Sequence, residues 1–420
     1  MQSRAVFLDN LNLSQHKNYE PYLRRVNPAE FAAVSFAPDA VVGSPYPLSL
    51  LCLSASWGGL ELNTVRFADW MHRRGWPVQV ITLVGSPIAA RAEALNLPVA
   101  YLTNRWKALD VPAARLLAHT LRAFNTRTLI VTRNGDLGLA VLSKTVHLPS
   151  LKLLYQQHMQ LGPPKRSVVH TLRFRALDAW LSPLPGLARQ VLEKTHLSPK
   201  KLHVVPLGIE LEKFADPALT RTIARQHLNL QLPANVVLLG LIGRFDDGKG
   251  QDFLVEELAV LRKQHPAVPL HLLLVGESTR NEGNTYREAV LRRVQELGLG
   301  EVVHIREFTP QPEIAYRALD ISITGSTNET YGMVTIEAMA AGLPVVATAT
   351  GGTLEIIDDG GTGLLFPLRN AAAFETAIGR LLSEPELMQE LGEQAQAVAL
   401  ATYSHHRQCK LTEDVLFGLR

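Results

Sequence analysis

One stretch limits what this chain can fold into more than any other: the run from Ser326 to Glu355, which begins Ser-Thr-Asn-Glu-Thr-Tyr-Gly-Met-Val-Thr-Ile-Glu-Ala-Met-Ala-Ala-Gly-Leu-Pro-Val-Val-Ala-Thr. It reads as loop, short helix and buried strand. Gly332 opens the helix, and Met333, Ile336, Met339 and Ala340 recur at helical spacing. Gly342 supplies a left-handed C-terminal cap, and Pro344 forbids continuation before Val345 and Val346 start a strand. The helix N-terminus over Tyr331 to Val334 is left with unpaired N–H groups and a positive dipole end, which suits a phosphate. Glu329 lies in the loop before that end, and Glu337 lies inside the helix on the face shared with Met333 and Val334.

A helix of this pattern between strands needs a sheet to pack on, and the rest of the chain provides one. Apolar strand-sized runs alternate with amphipathic helices: Leu48 to Ser54, Pro77 to Leu83, Val99 to Leu102, Thr128 to Val131, Leu151 to Tyr155, Asp178 to Leu181 and Leu202 to Val205, then Val236 to Ile242, Leu270 to Val275, Val302 to Ile305 and Ile321 to Thr324. Such alternation predicts parallel sheets covered by helices on both faces. At 420 residues with 46% apolar content, the chain suits two domains of roughly 150 to 200 residues each. The boundaries read as an N-terminal extension over 1–46, a first domain over 47–206 to which 403–420 returns, and a second domain over 207–402. The extension, broken by Pro21, Pro28, Pro38 and Pro45, has no sustained period.

The Glu-Ala-Met-Ala-x-Gly-x-Pro-Val-Val run and the Glu-x7-Glu spacing of Glu329 and Glu337 resemble the signature of retaining nucleotide-sugar glycosyltransferases of family 4. The resemblance extends over about 48–415. The loop after the strand at 236–242, Gly243-Arg244-Phe245-Asp246-Asp247-Gly248-Lys249-Gly250, resembles the family's Gly-Arg-x4-Lys-Gly loop. Pro206-Leu207-Gly208-Ile209-Glu210 resembles the turn that ends the first domain, with Leu207 where the family has Asn. Gly58 and Gly59, in the tight turn after the first strand, match a glycine loop at the cleft.

That resemblance implies the GT-B fold, an α/β architecture of two Rossmann-like parallel-sheet domains facing across a cleft, and a hexosyltransferase-type reaction with retention at the anomeric carbon. It implies that Arg244 and Lys249 hold the donor diphosphate, that Gly332, Met333 and Val334 offer amides to the distal phosphate, that Glu337 holds the ribose and that Glu329 sits by the sugar's reacting face. His158, just past the strand ending at Tyr155, matches a cleft histidine that contacts the donor sugar in many relatives; a lone histidine equally suits a structural role. Glu329, His158, Arg244 and Lys249 are thus the candidate catalytic residues. Composition and spacing alone do not give stereochemistry, since Glu329 has no second carboxylate identifiable for a two-step displacement.

Two cations beside a departing diphosphate stabilise its charge without a metal, and no Asp-x-Asp triplet that could cradle a divalent ion occurs. The expectation is therefore a metal-independent enzyme without a cofactor, its nucleotide-diphosphate sugar being a substrate, with UDP slightly favoured over GDP or ADP. A sugar-nucleotide epimerase or hydrolase of the same architecture and a non-catalytic sugar-nucleotide-binding partner are the other readings. A degenerate partner should have lost the cationic loop or a glutamate, and both are present.

Charge separates the halves. Residues 1–205 carry 24 Lys and Arg against 11 Asp and Glu, whereas the remainder carries 18 against 28. Lys165, Arg166, Arg173 and Arg175 form a basic patch on the presumed acceptor side, matching an anionic, carbohydrate or lipid-linked acceptor, or an anionic membrane surface, as in polysaccharide or glycolipid biosynthesis. The segment lacks the aromatic interleaving that stacks nucleic-acid bases. Without a membrane-length apolar run, signal pattern or disulfide framework, the chain reads as cytoplasmic, with a peripheral membrane position compatible with the patch.

Overall fold

The computed structural model describes residues 45–102, 110–233, 235–278 and 285–419, so the extension read over 1–46 lies almost wholly outside the described residues. Two sheets, every pairing parallel, form the frame, as the alternating pattern predicts. The first is seven-stranded in the order β3-β2-β1-β4-β5-β6-β7, with β1 Leu48–Leu51, β2 Val78–Thr82, β3 Val99–Tyr101, β4 Thr128–Val131, β5 Lys152–Gln156, β6 Ala179–Ser182 and β7 Leu202–Val204. The second is six-stranded in the order β10-β9-β8-β11-β12-β13, with β8 Val237–Ile242, β9 Leu270–Val275, β10 Val303–Arg306, β11 Ile321–Thr324, β12 Val345–Thr348 and β13 Leu364–Phe366. The central strands of both sheets are apolar runs buried along their length because helices cover both faces.

Local chemistry sets the helix starts. Ser86 Oγ accepts from the Ala89 amide (3.2 Å), Asp110 Oδ1 from Ala113 (2.9 Å) and Asn370 Oδ1 from Ala373 (3.0 Å), each filling an N–H that a first turn leaves open. Among the elements without a counterpart in the sequence pattern are the helix Val168–Arg175, the short helices Leu211–Phe214 and Thr353–Ile356 and strand β13. Val168–Arg175 is only eight residues long and its apolar residues face both ways, Phe174 inward and Val168, Val169 and Leu172 outward, so they do not add up to one stripe for a periodicity to reveal.

The two sheets are joined where the chain passes out at 206–209 and back at 403–405. The Ile209 amide donates to the Tyr403 carbonyl (2.9 Å) and the His405 amide to the Ile209 carbonyl (3.0 Å), a parallel bridge between the crossings. Gly208 is required there, since a Cβ would lie 2.6 Å from the Ser404 oxygen. The helix His405–Gly418 then packs on the first domain. Glu413 pairs with Arg74 (2.7 Å), both buried, and accepts from Trp76 Nε1 (3.0 Å), and the Tyr46 hydroxyl donates to the Leu416 carbonyl (3.0 Å).

One buried carboxylate opposes stability. Glu257, on the helix Gln251–Gln264, is 6% exposed, and its Oε2 is buried without a hydrogen-bond partner. Burial and the neighbouring carboxylates of Glu375 and Glu256 push its pKa up to about 7. The folded value exceeds the unfolded one, so stability is lost as pH rises from the ordinary Glu range through about 7. Glu257→Gln, whose amide can donate to Glu375, is expected to raise Tm more at pH 8 than at pH 5. An equal change at both, read by calorimetry, would refute this account.

Candidate active site

In open parallel sheets, ligands bind beyond the carboxyl ends of the strands where the strand order reverses. In the second domain the reversal lies between β8 and β11, and the two loops there are those carrying the motifs, 243–250 and 325–332. The Thr327 amide donates to the Gly248 carbonyl (2.8 Å), tying the loops together. Lys249 Nζ lies 3.0 Å from Glu329 Oε2 and 3.4 Å from Ser326 Oγ, so the cation and the carboxylate form a pair at the mouth of the sheet. Arg244 is held loosely, its guanidinium 3.5 Å from Asp246 and its side chain 55% exposed. An exposed, weakly paired guanidinium on the same loop as Lys249 is available to anionic oxygens.

The helix Met333–Ala340 begins at Gly332, whose φ of +104° makes it a left-handed N-cap, with Met333 and Val334 half-buried behind it. Glu337 is buried one turn inside and accepts from the Tyr316 hydroxyl (3.1 Å). Burial raises its pKa, while the positive charge of Arg66 and the Tyr316 hydroxyl pull it back. Arg66 belongs to the helix Gly59–Arg73 of the first domain, so its charge reaches Glu337 from the opposite wall.

Across the cleft, His158 follows β5. Its Nε2 is buried and without a partner, and burial pushes its pKa down to about 4, which keeps the imidazole neutral near pH 7. Gln157 fixes this loop by accepting from Trp180 Nε1 and Ser182 Oγ, both at 3.0 Å. Gln160 Nε2 donates to Asn328 Oδ1 (3.0 Å), so the loop carrying His158 touches the loop carrying Glu329.

The first sheet reverses between β1 and β4. Gly58 and Gly59 sit past β1 at the start of the helix Gly59–Arg73, where Ser54 Oγ donates to Glu61 Oε1 (2.6 Å). Opposite them, beyond β4, Arg133 donates to the Leu53 carbonyl and to Asp136 Oδ1 (3.2 Å), and the buried Asp136 accepts from the Leu53 amide (2.7 Å). Arg133 and Asp136 were invisible to motif reading; their signal was only their position after an apolar strand. Of the basic patch, Lys165 and Arg166 instead precede the helix Val168–Arg175 and Arg173 and Arg175 form its last turn, after β5 and not at the reversal point, with Arg166 donating to the Glu193 carbonyl. Among the described residues no three His, Cys, Asp or Glu side chains converge as metal ligands. Among them, too, no helix is long and apolar enough to cross a membrane.

Comparison with known proteins bears on this geometry. A family model described as glycosyl transferases group 1 matches residues 222–398, the portion holding both loops at the mouth of the second sheet. The D-inositol 3-phosphate glycosyltransferase of Thermomonospora curvata is 33% identical over 368 residues, 80% of this chain and 84% of that enzyme. The chain belongs to the group 1 glycosyltransferases. Another D-inositol 3-phosphate glycosyltransferase, from Corynebacterium jeikeium, aligns with this group 1 transferase at 34% identity over 200 residues, 47% of either chain. Among solved structures, a glycosyltransferase from Rickettsia africae superposes with a TM-score of 0.79 at 19% identity, covering 90% of this chain and 99% of that one. HepE from Anabaena, solved in complex with UDP and glucose, gives 0.74 at 20% identity, covering 88% and 99%. The group 1 transferase therefore has the GT-B fold of these proteins.

Proposed function

We propose that this protein moves a glycosyl group from a UDP-sugar to a hydroxyl of a phosphate-bearing acceptor, with retention at the anomeric carbon and without a metal. The observation that carries the reading is the meeting of Lys249 and Glu329 at 3.0 Å where β8 and β11 diverge, with Arg244 free to reach the same place. The bond between the anomeric carbon and the diphosphate oxygen breaks, and its electron pair leaves with the diphosphate. Arg244, Lys249 and the helix start at Gly332 to Val334 stabilise that charge. The acceptor oxygen bonds to the anomeric carbon on the same face, and its proton passes to the departing diphosphate oxygen. Glu329 orients the sugar, neutral His158 hydrogen-bonds to it, and Glu337 holds the ribose.

UDP is the preferred nucleotide because the HepE structures were solved with UDP and with UDP-glucose. A phosphorylated polyol is the favoured acceptor class because the relatives are D-inositol 3-phosphate glycosyltransferases and the first domain is basic. UDP at about 100 times its dissociation constant should stabilise the fold by roughly 2.7 kcal/mol. Transfer should continue in EDTA and give the axial or equatorial configuration of the donor, read by NMR of the product. Strict dependence on added magnesium, or release of free sugar in place of transfer, would overturn the reading.

A further inference from the structure

The helix Val168–Arg175 turns its apolar side chains outward: Val168 is 75% exposed, Val169 66% and Leu172 59%, and Met159 in the preceding loop is 65% exposed. Phe174 is the one buried side chain of the helix, its ring 5.3 Å from that of Trp180. The apolar side is framed by cations, since 161–177 contains Lys165, Arg166, Arg173 and Arg175 and no Asp or Glu. The neighbouring lysines add to this. Lys194 Nζ donates to the Leu161 carbonyl (2.7 Å) and Lys201 Nζ to the carbonyls of Arg175 (2.9 Å) and Leu177 (2.6 Å), so their charges meet backbone dipoles and not carboxylates.

Contiguous exposed aliphatic residues mark an interaction surface, and a ring of lysine and arginine around them matches anionic headgroups above an apolar layer. Nucleic acid fits less well, because the exposed residues are aliphatic and the one aromatic side chain of the helix is buried, leaving no stacking platform. We propose that this helix seats the enzyme on an anionic bilayer, with Val168, Val169 and Leu172 at the headgroup boundary and Lys165, Arg166 and Arg175 on the headgroups. The loop that leads into the helix runs from His158 and touches Asn328 through Gln160, so docking brings the mouth of the cleft to the lipid surface. What the docking serves rests on the transfer reading; the surface itself is read without it.

The test is flotation of the full chain with phosphatidylcholine vesicles, alone or doped with phosphatidylglycerol, at low and high salt. Each well-placed cation should raise the partition coefficient roughly fivefold on anionic vesicles and lose that effect as salt screens it. Wild type is expected to float with anionic vesicles at low salt only. Val168→Ser/Val169→Ser/Leu172→Ser and, separately, Lys165→Ser/Arg166→Ser/Arg175→Ser should both stay at the bottom of the gradient while melting as cooperatively as wild type. Equal flotation with neutral vesicles, no flotation, unaltered flotation of the serine variants, or retention on single-stranded oligonucleotide but not vesicles would each overturn it. UDP-induced stabilisation, measured in wild type and in the apolar variant, separates the two readings. Its absence with flotation intact removes the transfer reading and leaves the docking surface standing.

Discussion

Replacing Lys249 with alanine is expected to lower kcat/KM by about 10² to 10³, the cost of removing one preorganised donor from a developing oxyanion. Lys249 holds Glu329 Oε2 at 3.0 Å and Ser326 Oγ at 3.4 Å, so the substitution leaves the carboxylate without its cation and, on the proposed reading, also removes a charge from the diphosphate. The two losses are coupled. Lys249→Ala combined with Glu329→Gln should therefore cost less than the two single effects added together, because residues in one ion pair do not act independently. Steady-state kinetics with a saturating acceptor, set against UDP affinity by calorimetry, gives the reading. A variant that retains wild-type turnover would show that the diphosphate lies elsewhere.

Gly351→Val should be almost as severe, although residue 351 carries no chemistry. Its φ is +52°, where a β-branched side chain is strained, and a Cβ would lie 2.1 Å from the carbonyl oxygen of Glu329. The Gly352 amide donates to that same oxygen at 2.7 Å, so the backbone on which Glu329 is mounted rests directly on this turn. Valine must push the loop away. Because a displacement of about 1 Å at a reacting group costs on the order of 10²-fold, kcat should fall by at least that much, with a lower Tm but a folded circular dichroism spectrum. Full kcat in a folded variant would mean that the position of Glu329 does not limit the reaction.

The two loops at the mouth of the second sheet were legible in the sequence because the residues that build them are local. Arg244 and Lys249 share one loop, Glu329, Gly332 and Glu337 share another, and parallel-sheet topology brings two strand ends to one crevice. Gly342 and Pro344 likewise announced the end of the helix, which runs Met333–Ala340. Other features depend on contacts between distant residues and leave no local pattern. Tyr316 donates to Glu337 from another helix, Arg66 acts from the other domain, and Gln160 finds Asn328 across 168 positions of sequence. Arg133 and Asp136 closed a turn between β1 and β4 with no motif to mark it. The helix Val168–Arg175 was missed for the opposite reason, since over only eight residues its apolar side chains split between an inward Phe174 and the outward Val168, Val169 and Leu172, and no single face stands out.

The return of the helix His405–Gly418 onto the first domain also fixes an order of assembly. Trp76 and its partner Glu413 are 337 positions apart, and at a synthesis rate of 5–20 residues per second the first waits roughly twenty seconds to a minute for the second. Through that interval Arg74 lacks the carboxylate that neutralises it, the Trp76 indole N–H lacks its acceptor, and Tyr46 lacks the Leu416 carbonyl. The second domain has no such wait, because its strands and the helices that cover them are all made by Thr402. The domain begun first is thus the domain finished last, so a ribosome stalled between the two would leave a nascent chain whose second sheet is fully covered while the first still waits for its closing helix.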